Sequence, residues 1–186
     1  MKSIHPTKIN ANIHLIRGDI TSATVDAIVN AANRFLIPGG GVDHAIHVAA
    51  GPQLAKAVRK YLQCEPGCAV ITPAFDLKAN YVIHAVGPIW DNRENKVELK
   101  ETLAKTYASI FELAHRHHLA SIAIPNISTG VYAFPKDVAA RIALETTIEW
   151  LTTSQSKLVI YFYCFDEENY QLYKEILITS SISFNY

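Results

Sequence analysis

NAANRFLIPGGGVDHAIHVAAG, residues 30–51, joins two asparagines, three glycines and a carboxylate in one short run. An apolar segment, residues 25–29, leads into it and is expected to be a buried strand. Gly39, Gly40 and Gly41 then precede a small-residue helical pattern over residues 42–50. Glycines between a strand and a helix let backbone N–H groups approach an anion, and the helix N-terminus adds partial positive charge. A phosphate or diphosphate is the expected ligand; a flexible glycine connector is the competing reading. Asn30 and Asn33 concentrate amides where the strand is expected to end. Asp43 at the helix start is favoured by the helix dipole alone. Beside a bound phosphate, however, a second negative charge is repelled, which points to a chemical task such as orienting or deprotonating water.

The remaining composition narrows the class. The chain has 186 residues, enough for one domain with a substantial core, so residues 1–186 are read as a single domain. Lys plus Arg and Asp plus Glu number 17 each, so no global field favours nucleic acid or an anionic membrane. Three cysteines, Cys64, Cys68 and Cys164, do not suggest a disulfide framework. Cys64 and Cys68 flank Pro66 and Gly67, a turn pair, and no second His/Cys pair completes a tetrahedral site, so no metal is expected. Neither a signal core nor a run long enough to span a bilayer is found, and a cytoplasmic location is expected.

Along the chain, residues 9–16 read as a first strand closed by Gly18 and Asp19, with Asp19 a turn or cap residue by default. A helix is expected over residues 53–62, where Leu54, Val58 and Leu62 recur four apart. Residues 69–72 and 81–86 read as strands, and His84 in the second as a packed, hydrogen-bonded core histidine. Leu99, Leu103, Tyr107, Ile110, Phe111 and Ala114 form one helical stripe within residues 97–114. The basic cluster of His115, Arg116, His117 and His118 suits the C-terminus of that helix rather than a metal. After a strand at residues 121–124 comes a second loop, NISTGVYAFP, residues 126–135. Ser128, Thr129 and Gly130 offer donors to another phosphate face, and Tyr132 and Phe134 could wall a sugar. Val138, Ile142, Ile148 and Leu151 mark a further helix, residues 158–165 a last strand and 167–178 a closing helix. The core is expected to span about residues 9–178, with 179–186 a flexible tail.

Strands alternating with helices of this length indicate an α/β fold, with helices on both sides of a largely parallel or mixed sheet. Ligands bind such sheets beyond the C-terminal strand ends. Both unusual loops follow apolar strands and precede helices, so they are expected on one rim.

In order, the chain carries GDIT (18–21), VDAIVNAAN (25–33), GGGVD (39–43), IHVAAG (46–51), VIHAVGP (82–88), ISTGVYAFP (127–135) and CFDEEN (164–169). The set, covering about residues 18–177, resembles the macro domain family, and CFDEEN resembles its bacterial O-acetyl-ADP-ribose deacetylase and mono-ADP-ribosyl hydrolase branch. The resemblance implies a three-layer α/β/α macro domain fold with a mixed, mostly parallel central sheet. It implies that Asp19 accepts the adenine amino group, Ile20 offers a backbone contact and Phe165 stacks on the base. Gly39, Gly40, Gly41 and Val42 would face Ser128, Thr129, Gly130, Val131 and Tyr132 across a diphosphate. Asn33 would hold the distal ribose, Phe134 would pack against it, and Asp43 would position or activate water. Asn33 and Asp43 are thus the implied catalytic pair, and His47 a helper or a packing residue. The implied substrates are O-acetyl-ADP-ribose and proteins carrying mono-ADP-ribose on acidic side chains, with no cofactor and no metal. A monomer is expected.

This chain departs from the family pattern at Pro38, which replaces a fourth glycine and lacks an N–H. His44 replaces a glycine next to Asp43, where its imidazole is expected either to crowd the water or the distal ribose or to supply a proton. Val48 replaces an arginine. Binding requires Asp19, both loops and the aromatic walls; hydrolysis requires Asn33 and Asp43 as well. All are present, favouring a hydrolase over a non-catalytic reader of ADP-ribose. The fingerprint of a nucleotide-dependent dehydrogenase is absent after the first strand, and no RNA-binding signature is found.

Overall fold

In the computed structural model, which describes residues 7–10, 12–91 and 95–183, the chain forms a seven-stranded sheet between two helical layers. The strands are β1 (Thr7–Asn10), β2 (Ile13–Arg17), β3 (Ala27–Ala31), β4 (Ala69–Pro73), β5 (Tyr81–Ala85), β6 (Ser121–Pro125) and β7 (Val159–Cys164). Their order is β1-β2-β7-β6-β3-β5-β4. The five inner strands run parallel, and β1 and β4 are antiparallel edges. The helices are α1 (Gly41–Ala50), α2 (Pro52–Val58), α3 (Lys96–Arg116), α4 (Lys136–Ser154) and α5 (Glu167–Ser183).

Parallel strands buried on both faces are mostly apolar, because successive side chains meet helical layers on opposite sides. Ile28, Val82 and Ala123 face Ile46, Ala50 and Leu54 of α1 and α2. Their neighbours Val29, Ile83, Ile122 and Ile124 face the other way, onto Leu103, Tyr107 and Phe111 of α3 and Ala140 and Leu144 of α4. The expected stripe of α3 is buried at all six positions.

Several expected boundaries move. The single strand over residues 9–16 is two strands, β1 and β2, folded back so that Lys8 lies opposite His14. β3 runs two residues later than expected, so Asn30 is inside it and fully buried rather than at its end. α2 stops at Val58, and a 3-10 turn (Arg59–Tyr61) follows; Leu62 then takes φ +58 and stands 85% exposed. Leu54 and Val58 reach the core without a further helical turn. In α4 the buried face is Ala139, Ala140, Ala143, Leu144 and Thr147, while Val138, Ile142, Ile148 and Leu151 flank it half-buried. Small residues allow that helix to lie close to the sheet, so its largest apolar residues are not its deepest. α5 continues through Ser183, so a helix occupies most of the expected flexible tail; residues 184–186 lie outside the described residues. Among the described residues, no helix is long and apolar enough to cross a membrane.

Candidate functional site

The ends of the parallel strands open into a cleft of about 710 Å³, within the usual range for small-molecule sites. Residues following β2 (Gly18, Asp19, Ile20), β3 (Ala32, Asn33), β6 (Asn126 to Tyr132) and β7 (Phe165, Asp166, Asn169) line it, together with the head of α1. The two unusual loops therefore share one rim, as their positions after apolar strands imply.

The first loop, residues 33–40, is fastened from both ends. Asn33 Nδ2 donates to the Ile37 carbonyl at 2.6 Å, and its Oδ1 accepts from the N–H groups of Phe35 and Ile37. Leu36, at φ +55, sinks into a small apolar cluster with Ala32, Val58, Cys64 and Val86. The Gly39 N–H donates to Asp43 Oδ2 at 2.5 Å. No side chain caps α1, so the first N–H groups of this ten-residue helix are left for a ligand. Gly40 and Gly41 have open space where a Cβ would stand, and Gly41 takes φ +60, a conformation that favours glycine.

Asp43 is 4% exposed, yet its carboxylate lines the cleft. Asn30 Nδ2 donates to its Oδ1 at 2.6 Å. His47 Nε2 lies 3.7 Å from the same oxygen, one helical turn on. Each carboxylate oxygen thus accepts one fixed hydrogen bond and keeps lone pairs for a further donor such as water. Across the cleft, burial and then the Asp43 charge raise the pKa of the Tyr132 phenol, so the two loops face each other electrostatically.

The second loop is held differently. Ser128 and Ala133 adopt positive φ, +65 and +53, without being glycine. Backbone bonds from Ala133 N–H to Gly130 O and from Phe134 N–H to Ser128 O close the turn, at 2.9 and 3.0 Å. The Trp90 N–H donates to Tyr132 O at 2.8 Å. Ser128 Oγ is buried, without a hydrogen-bond partner, and lines the cleft. Phe134 does not wall the cleft: it is 1% exposed and meets Trp90 edge-on at 4.7 Å. The backbone reversal at Ala133 turns it into the core, where its ring anchors the loop.

At the opposite end, Asp19 caps the 3-10 turn Ile20–Ser22, its Oδ1 accepting from Thr21 N–H and Oγ1, while the residue lines the cleft. Phe165 stands 83% exposed on the cleft wall, where a flat ligand could stack. The cleft residues not assigned from sequence include three that can carry charge or hydrogen bonds at this end: Lys136, Asp166 and Asn169. Asn169 is 3% exposed, donates through Nδ2 to Asp166 Oδ2 at 2.8 Å and leaves Oδ1 unpaired. Burial raises the Asp166 pKa, but bonds from Asn169 and the Lys136 charge outweigh it and the net shift is down. Lys136 donates to Glu168 at 2.6 Å, which raises the Lys136 pKa. These residues lie at the starts of α4 and α5, where neither periodicity nor a glycine signal marks them; the run CFDEEN contains Asp166 and Asn169, and nothing in the sequence singles out Lys136.

His44 is exposed, pointing away from the cleft that Asp43 lines, because successive helical residues diverge by about 100°. His44 is therefore outside the cleft lining, a position that supports neither the expected crowding nor the alternative of a proton donor. Pro38 and Val48 are also exposed and outside the cleft lining. No group of three potential metal ligands occurs among the described residues.

Residues 29–143 match the macro domain family model. This chain belongs to the macro domain family. It is 50% identical over 174 residues to the O-acetyl-ADP-ribose deacetylase of Citrobacter rodentium, across 91% of this chain and 97% of that one. The Oceanobacillus iheyensis macrodomain with ADP is 38% identical, with a TM-score of 0.88 and 98% of each chain covered. The Trypanosoma brucei macrodomain in complex with ADP-ribose is 37% identical, with a TM-score of 0.85, covering 94% of this chain and 74% of that one. The open loop of this macro domain, its uncapped α1 and its exposed Phe165 all line one cleft.

Proposed function

We propose that this macro domain binds ADP-ribose along the cleft and hydrolyses O-acetyl-ADP-ribose, and mono-ADP-ribose esters on protein acidic side chains by the same machinery. The observation that carries the reading is Asp43: a buried carboxylate held at both oxygens, opening onto a cleft beside unpaired helix N–H groups. Phe165 and Asp19 would take the base, and the two loops the diphosphate. Asn33 would release one of its loop bonds to hold the distal ribose. That arrangement sets Asp43 against a water at the distal end.

In deacetylation the water attacks the ester carbonyl, Asp43 accepts its proton, and the tetrahedral intermediate expels the ribose oxygen as the proton is returned. In protein de-modification the water attacks the distal anomeric carbon and gives its proton to Asp43, and the departing carboxylate carries off the bond pair. The diphosphate stabilises the cationic transition state. No step as written calls on a metal or cofactor. The similarity to a deacetylase and to macrodomains crystallised with ADP and ADP-ribose supports this reading. A single domain acting as a monomer, in the cytoplasm, completes the proposal.

The test is to incubate purified protein with O-acetyl-ADP-ribose and, separately, with a peptide carrying ADP-ribose on glutamate, following ADP-ribose by mass spectrometry. Release from both is expected. Tight ADP-ribose binding with neither substrate consumed would make the chain a reader instead.

A further inference from the structure

Beneath the first loop, a line of buried polar side chains crosses the sheet from its edge to the cleft. Thr72 lies on β4, His84 on β5, Asn30 on β3 and Asp43 at the head of α1, and all four are buried. Asn30 and His84 are register partners in neighbouring parallel strands. Thr72 Oγ1 is 3.0 Å from His84 Nε2, His84 Nδ1 is 3.3 Å from Asn30 Nδ2, and Asn30 Nδ2 is 2.6 Å from Asp43 Oδ1. We infer that His84 is a positioning residue for Asp43: its Nδ1 lone pair locks the Asn30 amide with its NH2 group on the Asp43 carboxylate. This rests on the role of Asp43 proposed above.

The hydrogens can be assigned from the acceptors. The Asn30 NH2 has two hydrogens, and the Asp43 carboxylate takes one. The other faces His84 Nδ1, which must therefore accept, because two N–H groups cannot meet. The imidazole hydrogen is then on Nε2, donated to Thr72 Oγ1. Burial, with the nearby His47, lowers the His84 pKa to about 3, so the ring stays neutral and the lone pair stays available. Turning the amide over would bring its oxygen against a carboxylate oxygen at 2.6 Å.

Asn30 Oδ1, meanwhile, is buried without a hydrogen-bond partner. The amide is thus not oriented by satisfying both of its ends. It is held by the two acceptors on its nitrogen side, and His84 is one of them. The other oxygen of Asp43 is held by the Gly39 N–H. The carboxylate is clamped between the sheet interior and the loop, and loss of the His84 acceptor frees the sheet side. Misplacement of a reacting group by about 1 Å can cost about a hundredfold in rate.

The decisive contrast is His84→Asn against His84→Gln. The asparagine amide oxygen can stand where Nδ1 stood; the longer glutamine reaches toward Thr72 and leaves Asn30 without an acceptor. Single-turnover hydrolysis of O-acetyl-ADP-ribose is expected to fall roughly ten- to a hundredfold in His84→Gln and His84→Leu. ADP-ribose affinity by calorimetry stays near wild type, and His84→Asn recovers most of the lost rate. Nitrogen NMR of the wild-type imidazole is expected to show the Nε2–H tautomer, a readout independent of turnover. An Nδ1–H tautomer, a glutamine variant as fast as wild type, or equal losses in the asparagine and glutamine variants would overturn the assignment. Wild-type hydrolysis by Asp43→Ala would instead refute the proposed role of Asp43, leaving the tautomer to report on the hydrogen-bond line itself.

Discussion

The two loops that face each other across the cleft solve the same problem by different physics. The first uses glycine at its tip, with Gly40 and Gly41 meeting nothing, and is braced by side chains, Asn33 and Asp43, to which the proposed mechanism gives its chemistry. The second bends without glycine at Ser128 and Ala133 and is braced by its own backbone and by Phe134 in the core. In the first loop, then, shape and reactivity depend on the same side chains. In the second they are separated, since the brace lies behind the ligand surface. Substitutions should expose that difference.

The largest effect is expected at the shared brace. Asp43→Ala removes the proposed base, and hydrolysis should fall about a hundredfold to ten-thousandfold. It also strands the Asn30 NH2 and the Gly39 N–H, so stability should drop by about 1–3 kcal/mol. ADP-ribose affinity should hold or rise, because a negative charge leaves the anion site. Calorimetry, single-turnover kinetics and denaturant melts separate the three readouts, and a wild-type rate would remove Asp43 from the mechanism.

Next comes acid. The first loop is tied through Asn30 to neutral His84, whose pKa is lowered from 6.5 to about 3 by burial and then by His47. The unfolded chain therefore binds more protons across that interval. The contribution is fully present above 6.5 and is withdrawn as pH falls towards 3, at about 1.4 kcal/mol per pH unit. Denaturant midpoints of wild type and His84→Asn should converge on acidification, and parallel curves would contradict the assignment. The second loop borders groups that titrate in alkali. Asn126 bonds Cys164 Sγ at 3.4 Å, and burial pushes the Cys164 thiol up to about 12. Its contribution is present below 9.0 and lost as pH rises towards 12.

A comparable cost is expected behind the second loop. A Cβ on Gly87 would stand 2.2 Å from Ser128 Oγ and 2.7 Å from Ile127 Cγ2. Gly87→Ala should therefore displace the loop and cost about 1–3 kcal/mol, with weaker ADP-ribose binding and unchanged hydrogen exchange in residues 33–40. Exchange that rises equally in both loops would show that they are not independently braced.

The smallest effect distinguishes open glycines from required ones. Gly40 has φ −101 and empty space, so Gly40→Ala should leave stability unchanged or raise it by about 0.4–1 kcal/mol. Gly41, at φ +60, should lose about 1–2 kcal/mol as alanine. If Gly40→Ala also keeps full ADP-ribose affinity, the ligand does not approach that backbone.

Much of this plan was legible in one dimension. The α3 stripe is a spacing that any amphipathic helix must show, and apolar strands followed by loops before helices place both loops at one sheet end by chain direction and handedness. The run NAAN, GGGVD marks the site for a local reason: glycine, helix start and carboxylate act within a few residues of one another. What spacing alone could not report is any contact that depends on which strands become neighbours. Asn30 meets His84 54 positions away because β3 pairs with β5, and Gly87 must be glycine because Ser128 folds over it. Phe134 and the alanines of α4 are likewise buried by what packs on them, whatever their hydrophobicity suggested. Local propensity is a property of the chain, whereas burial and hydrogen-bond partnership are properties of the pairs that folding creates.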